Sequence, residues 1–259
     1  MKGPEEFKES HSVISKMIIT YKKRKLGIEY LQNTFTSVQK DFLNDPRNIN
    51  FELDALKIYN SLKLSKEDGL PTLDIARGHP EVKKVIKERI DLLIDVSKIF
   101  VKVILDSLNK LPYGLRLICK QIKDASLERF PKTKERTLWK VVGHTIYFRF
   151  LNPAVVTPSE VLTIGEINMQ QTTNLVAISK VLQALFDLRE FDQDSPLFFA
   201  NDYLHATFPQ IEEYFKALIN VPPPEQFLQV DEYMELTIKN PPFIIISVRR
   251  NSSYSSTIR

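Results

Sequence analysis

A chain of 259 residues with 36 Lys and Arg, 32 Asp and Glu, 43% hydrophobic residues and 26% charged ones is too apolar and too evenly charged for intrinsic disorder. Its single cysteine, Cys119, admits neither an internal disulfide nor a cysteine cluster, which fits a reducing compartment. The seven glycines never cluster into a phosphate-cradling loop, and His11, His79, His144 and His205 stand too far apart for a metal pair at helical spacing.

The first residues, Met1 to Glu6, carry no signal-peptide core, and no apolar run approaches the roughly 18 residues of a membrane span. The expectation is a cytoplasmic protein without cofactor, bound metal or small-molecule substrate. Helical periodicity then dominates the chain. Val13, Ile14, Met17, Ile18 and Tyr21 share one predicted face, and Ile28, Leu31, Phe35, Val38 and Phe42 repeat at spacings of three and four. Between them, Lys22, Lys23, Arg24 and Lys25 precede Gly27, a helix stop signal. The cations fit helix termination and solvation, and they also fit an anion, acidic-lipid or acidic-partner site.

Asp45-Pro46 predicts a break, and Asp54 caps a third predicted helix reaching about Leu64. A loop through Gly69, Pro71, Gly78 and Pro80 follows. A long apolar face then runs from Val82 to Leu108, ending before Leu111-Pro112-Tyr113-Gly114. Leu115 to Phe130 reads as a helix using Leu115, Leu117, Ile118, Ile122 and Ala125. Leu138 to Phe150 reads as another, stopped by Asn152-Pro153. Leu175, Ile178, Val181, Leu182, Leu185 and Phe186 mark the next buried face. Two further segments, Tyr203 to Phe208 and Ile211 to Ile219, stop at Pro222-Pro223-Pro224. Phe243 to Val248 is a β-type run that predicts a short strand or an extended arm. Residues 249–259 carry four serines and three arginines with little to bury, so a disordered tail is expected there. The chain shows no fixed internal period, and the economical fold class is all-α, one helical domain over residues 1–248.

Arg149 falls in the last turn of the helix that Pro153 is expected to end, which puts its guanidinium and the Asn152 amide at a rigid corner. Five donors there can cap the helix C-terminus or organise loop carbonyls and carboxylates. The run Tyr147-Phe148-Arg149-Phe150-Leu151-Asn152-Pro153-Ala154 resembles the signature of Ras-type GTPase-activating protein domains, which are elongated and helical. Thr173 to Gln183 is similar to the helix that follows it in that family, with Asn174, Lys180 and Gln183 at matching positions. Asp54 to Tyr59 and Asn220-Val221-Pro222 through Tyr233 resemble the IQGAP branch.

That resemblance implies a module that grips the switch regions of a GTP-bound small GTPase, Rho/Rac-like or Ras-like. It implies that Arg149 holds a loop, that Asn152 and Pro153 shape the corner, and that Asn174, Lys180 and Gln183 face the GTPase. In catalytic members an arginine finger lies ahead of the segment resembling Ser12 to Tyr21, whereas Met1 to His11 contain no arginine. IQGAP-type domains lack that finger and hold Rac-like GTPases in the GTP state, so no catalytic residue is expected. The parent would be an actin- and cytokinesis-linked scaffold at the cytoskeleton, cell cortex or division site. An active Ras GTPase activator and a phosphoinositide or acidic-membrane module are the alternatives. Nucleic-acid binding is not expected, because Tyr21 alone accompanies the cations as a stacking surface.

Overall fold

The computed structural model describes residues 13–47, 49–64 and 72–229. Among them every regular element is helical, as the all-α expectation requires: α1 (Val13–Lys22), α2 (Lys25–Leu43), α3 (Ala55–Ser61), α4 (Leu73–Gly78), α5 (Pro80–Asp106), α6 (Tyr113–Arg129), α7 (Glu135–Gly143), a π-helical stretch (His144–Leu151), α8 (Asn152–Val156), α9 (Met169–Phe186), α10 (Asn201–Ile219) and α11 (Pro224–Phe227). The run 243–248, the domain limit at 248 and the tail 249–259 lie outside the described residues. Residues up to Val221 group into one compact unit, and those from Pro222 onward into a second, of which α11 is the described element.

α9 is the centre of the first unit. An Asn168–Gln171 capping box starts it, each side chain bonding the other's backbone N–H. Leu175, Ile178, Val181, Leu182, Ala184, Leu185 and Phe186 are all solvent-inaccessible, so this helix is apolar around most of its circumference. It packs against α5, α8, α10 and the π-helical stretch. α5 starts from His79, whose Nδ1 accepts from the Glu81 N–H, and Pro80 at its first position gives up no helical bond. A smaller cluster of Ala55, Ile58, Tyr59, Ala76 and Val82 ties α3 and α4 to the start of α5.

Several boundaries differ from those the local signals predict. Gly27 does not end α1. It lies in the first turn of α2, where a Cβ would collide with the Tyr21 carbonyl, so the glycine serves the tight approach of the two helices. Met17 leaves the expected apolar face and is half exposed, because α1 buries Ser15 and Ile18 instead. α3 is shorter than predicted, and α4 occupies the end of the expected loop, capped by the Thr72 hydroxyl.

Pro153 and Pro209 do not stop their helices. Asn152 keeps right-handed helical geometry, and the chain runs from the π-helical stretch into α8. An α-helix there would drive the proline ring against the Arg149 carbonyl; the wider turn relieves that clash. Pro209 lies inside α10 on its exposed side, where the carbonyl it orphans can turn to water. Leu204, Phe208, Ile211 and Phe215 stay buried on both sides of it, and their burial outweighs the ~3 kcal/mol that an internal proline costs.

Candidate functional site

The signature segment is held from three sides. Gly143 introduces it, and a Cβ there would collide with the Phe186 carbonyl and the Phe215 ring, so α7 meets the end of α9 at backbone distance. Tyr147 stacks on Phe186 at a centroid distance of 5.0 Å, and its hydroxyl donates to the Ser179 carbonyl at 3.3 Å. Ser179 Oγ donates to Asn152 Oδ1 at 2.6 Å. From α2, the buried Gln39 amide donates to the carbonyls of Ala154 and Val155 at 2.9 and 3.1 Å, satisfying the end of α8. The corner expected at Asn152 does not form, because the helix continues through Pro153; the segment is instead a braced passage through a continuous helix. Arg149 is partly buried in it, and burial pulls its pKa below the ordinary guanidinium value without discharging it.

Both bonds to Ser179 fix the helix that carries the next residue, Lys180. Thr173, Val176, Lys180 and Gln183 recur at three- and four-residue spacing along α9 and line one wall of a groove of about 820 Å³. The facing wall is Phe51 to Asp54, together with Arg189, Phe191 and the segment 195–197. The groove continues past Leu53, Asp54, Ser195 and Pro196 into a second hollow of about 650 Å³ beside α4 and the start of α5. Lys180 is exposed and Gln183 half-buried.

Asn174 is only 3% exposed and sits beneath this wall. Its Nδ2 donates to the Ile49 carbonyl at 2.7 Å, and its Oδ1 accepts from the Phe51 N–H at 2.8 Å. It thereby sets the groove's far edge. That edge is stiffened where Lys57 Nζ donates to Glu52 at 2.6 Å, a bond that holds the Glu52 carboxyl below its usual pKa, and where Asp54 accepts from the Lys57 N–H.

Asn152, Lys180 and Gln183 are thus joined through Ser179 and one helix, and Arg149 lies in the turn before Asn152. Lys22 to Lys25 are elsewhere, at the α1–α2 turn, and none of them lines the groove. Arg189 is a charged groove residue that local patterning missed. It follows Leu188, whose φ of 46° is left-handed, and its N–H closes the end of α9 on the Ala184 carbonyl at 2.9 Å. A glycine would have announced such a turn, but here leucine takes it. Among the described residues no group of three or more His, Cys, Asp and Glu could hold a metal, and no helix is long and apolar enough to cross a membrane. Cys119 is buried, which pushes its thiol up to about 12 and leaves it unreactive.

The braced signature segment therefore lies beside a mixed polar and apolar groove within an all-helical unit. The family described as "GTPase-activator protein for Ras-like GTPase" matches residues 1–187, and the chain belongs to it. It is 39% identical to Ras GTPase-activating-like protein rgaA of Dictyostelium discoideum over 94% of its own length, and 31% identical to Ras GTPase-activating-like protein IQGAP2 of Homo sapiens over 95%. It is 23% identical to Ras GTPase-activating-like protein rng2 of Schizosaccharomyces pombe over 76%. The chain spans 31%, 16% and 14% of those three proteins, respectively.

Proposed function

We propose that the chain is the GAP-related domain of an IQGAP-like scaffold, and that it binds GTP-loaded Rho-family, Rac-like GTPases without supplying a catalytic arginine finger. The observation that carries this reading is the bracing of Lys180 and Gln183 on an open groove wall by the signature residues behind it. Such a wall, preorganised and long enough to receive an extended loop, suits switch segments that the γ-phosphate orders. Arg149 acts from behind the wall, and Asn152 and Pro153 keep the helical passage in register with α9. The relatedness to IQGAP2 supports the scaffold reading, and with it a cytoplasmic, cytoskeletal or division-site location.

The alternative, an active Ras GTPase activator, is favoured by the name of the matching family. Single-turnover GTP hydrolysis by Rac-like and Ras-like GTPases, with and without this chain, separates the two. The expected result is slowing or no change, with tighter binding to the GTP form than to the GDP form. An acceleration of about a hundredfold or more, approaching the 10³–10⁵ range of a finger, would make the chain an enzyme. Equal affinity for GDP- and GTP-loaded GTPases would remove the GTPase reading altogether. In the same assay Arg149→Ala is expected to weaken binding modestly.

A further inference from the structure

We propose that the α1–α2 turn is a docking surface for an acidic lipid bilayer, independent of the GTPase groove. Residues 12–28 hold five cations, Lys16, Lys22, Lys23, Arg24 and Lys25, and no acid. Lys23, Arg24 and Lys25 are exposed at the turn itself. Among the described residues one ion pair touches the group, Lys25 with Glu29 at 3.8 Å, between exposed side chains.

Helix termination does not account for this arrangement. Lys22 is in the last turn of α1, where a cation complements the helix dipole, but Lys25 opens α2, where a cation opposes it. The first turn of α2 has no acid, and its N-cap, Arg24, makes no side-chain capping bond. Positive charge has been gathered where it costs folding stability, and an acidic partner offsets that cost.

The apolar surface beside the cations selects a bilayer over a soluble anion. Leu26, next to Lys25, is 60% exposed, and Ile19, one turn before Lys22 on α1, is 45% exposed. A soluble phosphate has no use for them, whereas basic residues flanked by exposed aliphatic ones fit the headgroup and upper acyl layers of an anionic membrane. Lysine and arginine stems extend toward phosphates while the leucine enters the interface.

The test is co-sedimentation of the whole chain with phosphatidylserine-rich vesicles and with pure phosphatidylcholine vesicles. Sedimentation with the acidic vesicles alone, decreasing as chloride salt is raised, is the expected result. Each cation at such a surface is worth about fivefold in partitioning, so Lys23→Ala/Arg24→Ala should lower it about twenty-fivefold. Leu26→Ser, which leaves the charge intact, should lower it about tenfold. Both variants should keep GTPase binding and neither should lower the parent's melting temperature, because these side chains are exposed and outside the groove. Inorganic phosphate should compete no better than chloride at equal ionic strength. Failure of the parent to sediment, equal sedimentation with neutral vesicles, indifference to both substitutions, or displacement specific to phosphate would each overturn the proposal. None of those outcomes bears on the GTPase reading.

Discussion

Asn174 shows how a residue can matter to a site without touching its ligand. Its amide replaces the missing partners of an irregular segment, donating to the Ile49 carbonyl and accepting from the Phe51 N–H, and both bonds are buried. Removing it strands two polar backbone groups, each of which costs about 1–3 kcal/mol when buried unpaired. Asn174→Ala should therefore lower unfolding stability by about 3 kcal/mol in a denaturant titration and loosen the Phe51–Asp54 wall. Lys180→Ala, an exposed site one wall further out, should leave stability within about 0.5 kcal/mol and weaken GTPase binding. Equal and small stability effects at the two positions would show that Asn174 does not hold the edge. The sequence placed these two residues together by motif position, yet it could not distinguish the clamp from the contact. Asparagine and lysine are both polar, and only the fold decides which one faces the backbone of a segment more than a hundred residues away.

At the scale of elements, amphipathic stripes carried the reading where burial is one-sided, as in α2 and α5. Local breakers misled it where packing on both sides of a proline or glycine outweighs the backbone preference. Pro153, Pro209 and Gly27 each carry a stop signal, and each lies within a helical run because the apolar face continues past it. Pro153 is the one local sign of the π-helical stretch, and two tertiary demands add to it: Gly143 against the Phe186 carbonyl and Tyr147 on Phe186. Thr145 steadies its entry by donating its hydroxyl to the Val141 carbonyl at 2.8 Å. Gly143 is where this junction has no room. A methyl group there must displace backbone and a buried ring together, so Gly143→Ala is expected to destabilise by about 3 kcal/mol despite alanine's better helix propensity. A thermal melt that rises or stays constant would mean that α7 and α9 can separate without cost.

For the molecule as a whole, the question is where the cooperative core closes. Among the described residues, every member of the main apolar cluster precedes Val221, from Ile18 to Leu218, and the groove lies within the same span. The last carbonyls of that span are already satisfied from inside it. Arg116 on α6 donates through Nε to the Leu218 carbonyl at 3.0 Å and through Nη2 to the carbonyls of Ala217 and Asn220, and Lys120 Nζ donates to the Val221 carbonyl at 3.2 Å. These bonds do at the end of α10 what a C-cap does: they supply donors to the carbonyls of Ala217, Leu218, Asn220 and Val221 from within the same unit. A chain ending at Val221 should therefore melt within about 3 °C of the full 259 residues and retain the same preference for a GTP-loaded GTPase. A fall of about 10 °C or more would place residues beyond 221 in the same cooperative unit, because for a domain of this size a shift that large corresponds to several kcal/mol of lost packing. Unchanged melting with lost GTPase binding would instead separate stability from recognition, assigning the region after Pro222 a role in gripping the partner that the groove alone does not fill.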